Sequence, residues 1–186
     1  YSASYKRQLL VGNIVVSLVS ALVPLLVAIA NADYLRHLYG EALQYTPIVG
    51  QLYVWISGFA LFAFLITLTR EIVKDMQDIE GDREMECRTM PIVWGEKTTK
   101  IIVTIFLLMT MALIAYLAFA VLPFPCDWKT LSTRYVIFGL MVPILCAIIL
   151  LWSAKSPLEY RRTQLVIKFV MFMGVLYSFV IQQNII

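Results

Sequence analysis

Five apolar stretches constrain this chain more than any other feature: Leu9 to Ala30, Ile48 to Thr69, Ile101 to Leu122, Tyr135 to Ser153 and Leu165 to Gln182. Each is about 20 residues long, the length an α-helix needs to cross a hydrocarbon core of roughly 30 Å. A helix is the conformation in which such a stretch satisfies all its backbone N–H and C=O groups within lipid. Composition agrees: 61% of residues are hydrophobic and 15% are charged, against roughly 25% charged in a soluble globular domain. The connections are short and no internal repeat stands out. The expected fold class is therefore an all-α membrane protein, one bundle of five transmembrane helices over residues 1–186. The first span is too long for a signal peptide, and no cleavage pattern precedes it.

The cations give an orientation. Alternating the five spans puts Lys6, Arg7, Arg70, Lys74, Arg83, Arg88, Lys97, Lys100, Lys155, Arg161, Arg162 and Lys168 on one side, twelve of the fifteen Lys and Arg. Arg36, Lys129 and Arg134 fall on the other. The positive-inside rule makes the first side cytoplasmic, with the N-terminus inside and the C-terminus outside a cell (inner) membrane. The net charge of +3 then reflects topology and anionic head groups, and no nucleic-acid partner is expected.

Cys87, Cys126 and Cys146 are too few and too scattered for a disulfide framework or a metal cluster. His37 is the sole histidine and lies on the outer side, so zinc chemistry and histidine acid-base catalysis have no support. Pro24 and Pro143 lie inside apolar spans and are expected to kink them. Gly58, Gly139 and Gly174 suit close helix packing.

The acids are distributed quite differently. Eight of the twelve Asp and Glu fall between Glu71 and Glu96, in the connection between the second and third spans. Glu71, Asp75, Asp78 and Asp82 are spaced by 4, 3 and 4. At about 100° per residue on one continuous helix they point within roughly 60° of one another. Four like charges on one face repel, so a cation is expected as their partner.

A solvated helix end, its acids neutralised by Arg70, Lys74 and Arg83, is the plain reading. Against it, the stripe continues directly from an apolar span, where ionisable groups mark function. Hard oxygen ligands without His or Cys suit Mg²⁺, which binds through one or two carboxylates plus the oxygens of a substrate phosphate. Beyond the acids, Gly81, Pro91 and Gly95 punctuate the chain. They predict a short helix and a loop turning back to the membrane before Lys97, so that residues 70–100 form a cytoplasmic aspartate-rich helix with a cap loop.

The run KDMQDIEGDRE, followed by RTMPIVWG, resembles the second aspartate-rich motif of the UbiA superfamily of intramembrane prenyltransferases, whose pattern is close to DxxxD, then a Gly, TxP and a small-residue turn. Asp78 and Asp82 match the motif pair; Asp75 and Glu71 match acidic positions just upstream; Thr89, Pro91 and Gly95 match the sequel. The opening YSASYKRQLLVGN resembles the lead into the fifth helix of that family. One departure is Glu86, where the family commonly has glycine. A larger one is the first motif of the type NxxxDxxxD, which this chain does not contain. The family has nine helices, and five spans beginning inside and ending outside equal its last five. With Tyr1 as the first residue, the expectation is the C-terminal part of a longer enzyme, inactive without its missing N-terminal half.

The resemblance implies a chemistry. A prenyl diphosphate lies with its tail among the helices, Mg²⁺ links the diphosphate to the acidic motifs, and a lipophilic acceptor captures the allylic group after the C–O bond ionises. Asp78 and Asp82 are the implied catalytic carboxylates and metal ligands, with Asp75 as a further ligand and Glu71 among the substrate-binding and orienting groups. Lys6, Arg7, Lys74 and Arg83 are candidates for diphosphate contact, although Lys6 and Arg7 also serve as positive-inside anchors. Arg88 is less favoured. Phe59, Phe62, Phe64 and Phe106 suit the tail site, but aromatic residues on membrane helices mostly pack or face lipid, and they are not assigned to it. The form KDxxDxxGDR most resembles digeranylgeranylglyceryl phosphate synthases, which points to geranylgeranyl transfer to geranylgeranylglyceryl phosphate. Enzymes acting on aromatic or quinone precursors share the broader pattern. An ion-coupled transporter would place acids in mid-span, whereas the first, third, fourth and fifth apolar stretches contain none.

Overall fold

A computed structural model describes residues 9–40, 48–121 and 130–185. Helix α1 is Val11–Tyr39 and α2 is Ile48–Gln77, followed by two short helices, α3 (Ile79–Glu84) and α4 (Met90–Val93). Helix α5, Glu96–Tyr116, continues as a π-helical segment, Leu117–Val121. The fourth span is assembled from α6 (Leu131–Arg134), a π-helical segment (Tyr135–Met141) and α7 (Val142–Ser153), and α8 is Pro157–Ile185. Among the described residues the structure is all-helical, and five segments are long and apolar enough to cross a membrane: Val11–Asn31, Tyr53–Gln77, Glu96–Phe119, Leu131–Ser153 and Pro157–Val180.

Several helices outrun their apolar stretches, because backbone hydrogen bonding does not stop where side chains become polar. The consequence matters most in α2, which runs on past Thr69 to Gln77 and so carries Glu71 and Asp75 on the same rigid rod as the second span. This helix is also the axis of the bundle. Of its most apolar window 61% is buried, against 17% for the first span, and it packs on α1, α5 and α8 while α7 packs on α8. The core along it joins Ile66, Ile72 and Val73 to Val103 and Leu107 of α5, Ile144 and Leu151 of α7, and Ile167 and Val170 of α8.

Packing in lipid depends on close fit rather than on expelling water. Two glycines provide it. A Cβ on Gly58 would stand 2.6 Å from Leu117 Cδ1, and one on Gly174 would stand 2.3 Å from Phe62 Cε1, so neither position has room for a side chain as packed. Pro143 lies in the middle of the fourth span, Leu131–Ser153. The π-helical segment ends at Met141 and α7 follows without a break, so Pro143 and its missing N–H fall at the junction of the two.

The ends of three helices are tied by one buried lysine. Lys100 Nζ donates to the Ala154 carbonyl at the end of α7 (2.6 Å) and pairs with Glu96 Oε1 at 3.2 Å. It also lies 5.4 Å from the Tyr160 ring centroid. The Tyr160 hydroxyl donates to the same Glu96 carboxylate, so α5, α7 and α8 meet at one polar knot. Away from it, the Ser132 and Tyr177 hydroxyls are 2.8 Å apart, and Tyr135 Oη donates to the Met173 carbonyl at 2.9 Å.

Candidate functional site

The acidic stripe is not carried by one unbroken helix. Helix α2 ends at Gln77, and Asp78 stands at the break with φ −97° and ψ 14°. Backbone bonds from Asp78 N–H to the Lys74 carbonyl (3.0 Å) and from Asp82 N–H to the Asp78 carbonyl (2.9 Å) carry the helical spacing across it. The four carboxylates consequently meet different surroundings. Glu71 is 7% exposed and pairs with its neighbour Arg70. Asp75 is half-buried and accepts a 2.7 Å hydrogen bond from Asn13 Nδ2 of α1. Asp78 is half-buried at the break, and Asp82 in α3 is 4% exposed.

Lys74 and Arg83 are exposed beside the acids. Lys6 and Arg7 lie outside the described residues, as does Cys126. Among the described residues, no group of three or more His, Cys, Asp and Glu is placed to hold a metal ion. The carboxylates of the described residues are thus not gathered as three around one point. A hard cation that draws its remaining ligands from water and phosphate oxygens fits such a donor set, as Mg²⁺ does.

The connection after the acids folds back over the same end. The Cys87 N–H donates to the Asp82 carbonyl at 2.8 Å, and Glu86 just before it takes φ +53°, the left-handed conformation that favours glycine. Thr89 is extended and its carbonyl accepts from the N–H groups of Ile92 (3.1 Å) and Val93 (3.0 Å). Pro91 does not break a helix here. It lies in the first turn of α4, where its fixed φ is preorganised and no donor is lost. Gly95 then turns the chain into α5 with φ 82° and ψ 158°, a region essentially reserved for glycine. Met90 and Pro91 are buried, and α4 packs on α2, α3 and α5. Two buried polar atoms at this end make no hydrogen bond, Arg70 Nε and Thr89 Oγ1, and buried polar groups ordinarily have a partner.

Below the Asn13 to Asp75 contact, a cavity of about 520 Å³ opens between α1, α2 and α8, lined by Ser20, Val23, Phe59, Phe62, Ile66 and Met171 among others. Its volume and apolar walls are those of a small-molecule or lipid-chain site. Phe59 and Phe62 line it, whereas Phe64 and Phe106 pack against the core. Sequence reasoning assigned no role to Asn13. Its signal was a lone amide one turn or so into an apolar span, where polar side chains act between helices.

The sequence pattern of the UbiA prenyltransferase family matches residues 1–176, and the chain belongs to that family. It is similar to the digeranylgeranylglyceryl phosphate synthases of Methanosphaera stadtmanae and Methanopyrus kandleri. The first is 28% identical over 185 residues, covering 97% of this chain and 56% of the relative. The second is 27% identical over 177 residues, covering 95% and 55%. The synthase of Pyrococcus furiosus is 37% identical over 99 residues, covering 43% of this chain and 36% of its own. The chain therefore spans about half the length, or less, of these curated relatives. No solved structure matches it.

Proposed function

We propose that this chain carries part of the active site for Mg²⁺-dependent transfer of a polyprenyl group from a prenyl diphosphate to a lipophilic acceptor within the membrane. The observation that carries the reading is the stacking of two unlike features. A stripe of four acids, two of them buried, stands above an apolar cavity on the same α1 and α2 seam. An amphiphile with an anionic head and a long apolar tail is the ligand that fits both. The relatives named digeranylgeranylglyceryl phosphate synthase favour geranylgeranyl as the donor group and geranylgeranylglyceryl phosphate as the acceptor.

The roles follow from placement. Asp78, at the helix break, and Asp82, in the turn beyond it, hold Mg²⁺. Asn13 fixes the orientation of Asp75 beside them, and Glu71 with Arg70 sets the charge at the root of the stripe. Lys74 and Arg83, exposed at the rim, meet the diphosphate. The α4 segment covers the head group and limits water. Bound Mg²⁺ supplies neutralisation of the charge that grows on the leaving diphosphate.

The NxxxDxxxD motif paired with this one in the family resemblance is not in these 186 residues, so transfer requires a segment that bears it. The test is to express the chain alone and together with the motif-bearing half of an archaeal relative, then supply geranylgeranyl diphosphate and geranylgeranylglyceryl phosphate. Digeranylgeranylglyceryl phosphate formed only by the pair is the expected product. Prenylation of 4-hydroxybenzoate or a naphthoquinone precursor instead would overturn the acceptor assignment, and no transfer to any acceptor would overturn the reading.

A further inference from the structure

Resting on that reading, we infer that Phe62, lying against the bare backbone of Gly174, is the partition that sets how long a prenyl tail the bundle accepts. A second, smaller cavity of about 40 Å³ adjoins the large one, lined by Trp55, Gly58, Ile114, Leu117, Leu140 and Tyr177. Phe59, Phe62 and Gly174 line both cavities. The Phe62 ring is 8% exposed and occupies the place a side chain at 174 would need, since a Cβ there would be 2.6 Å from Cζ and 2.3 Å from Cε1. One aromatic ring is thus a shared wall between the two spaces.

The order along α2 places this wall in the path of a tail. Counting from the acidic end, Asp75 is followed by Thr67 and Ile66, then Phe62 and Phe59, then Gly58 and Trp55. At a rise of about 1.5 Å per residue, Thr67 lies roughly 12 Å and Phe62 roughly 20 Å below Asp75. A tail running down the seam from a head group at the acids traverses the large cavity and meets the Phe62 ring as the wall between it and the smaller space, which Ile114, Leu117 and Leu140 line on the far side of that ring. The smaller cavity, with Trp55 in its lining, is reached by passing that ring. Glycine at 174 lets the ring lie flush across the passage, which a larger residue would prevent.

The experiment measures Mg²⁺-dependent binding of farnesyl, geranylgeranyl and geranylfarnesyl diphosphate to the 186-residue chain in nanodiscs, for wild type, Phe62→Ala and Phe62→Leu. Tryptophan fluorescence is followed in parallel. Opening the passage should raise affinity for the longer tail relative to the shorter by roughly tenfold or more in Phe62→Ala, since even one methylene accommodated in an apolar pocket is worth about tenfold. Phe62→Leu, a milder change in volume that guards against misfolding, should shift the ranking in the same direction, and the longer tail should perturb Trp55 emission only in the variants. An unchanged ranking of the three tails in folded variants, with wild type binding them, would overturn the partition and leave the functional reading standing. Wild type that binds none of the three would overturn both.

Discussion

Glu86 and Gly95 mark the two bends of the connection that follows the acids, and both take positive φ. They differ in what the side chain costs. The left-handed conformation at Glu86 is disfavoured for any residue with a Cβ by about 1–2 kcal/mol, so Glu86→Gly should leave stability unchanged or raise it by up to about 1 kcal/mol. Gly95→Ala should destabilise by about 1–3 kcal/mol, read as a lower thermal midpoint in detergent. The departure from the family pattern at Glu86 therefore corresponds to a bend that a glutamate makes under strain. Among the acids, the two helix faces give a contrast. Glu80 is exposed and lies about 180° from the stripe, so Glu80→Gln should keep transfer within about twofold of wild type in the paired-chain assay. Asp82→Asn should reduce it by roughly 100-fold or more, as expected for a group that stabilises charge in the transition state. Equal damage from both would contradict the stripe. The sequence spacing already pointed to Asp78 and Asp82, but Asn13 was invisible to it, because the contact with Asp75 joins residues 62 positions apart.

At the scale of elements, the five spans were legible because 20-residue apolar runs have few alternatives in lipid. Their ends were not. The helical ladder carries α2 on to Gln77, and α5 begins at Glu96, five residues before its apolar run, because Gly95 supplies the turn into it. Pro91 read as a helix break in the sequence, yet it opens a short helical segment. The same residue type ends one helix and starts another, and only the neighbouring backbone decides which. Lys100 shows a related limit. Charge counting placed it on the cation-rich side and said nothing of its surroundings, and it is 7% exposed and joins α5 to the Ala154 carbonyl. Removing a charged donor from a buried acceptor costs about 1.5–3 kcal/mol, so Lys100→Met should lower the thermal midpoint in detergent. Unchanged stability would mean that the knot of Lys100, Glu96 and Tyr160 holds nothing together.

The molecule as a whole is a helical bundle organised around α2, with charge concentrated at one end and apolar space beneath it. The class of fold followed from hydropathy, and the family from a dozen residues between Arg70 and Gly95. The cavity did not follow from either, since its lining comes from α1, α2 and α8 together, and no single segment encodes it. The central claim is that the acids and the cavity together bind one amphiphile through a cation. Its most direct test is binding of geranylgeranyl diphosphate to the chain in nanodiscs, with Mg²⁺ or with chelator, for wild type and the Asp78→Asn, Asp82→Asn double variant. Saturable binding that needs Mg²⁺ and is lost in the double variant is the predicted result. Affinity that is the same with chelator, or the same in the double variant, would contradict the claim and leave the acids as a solvated helix end.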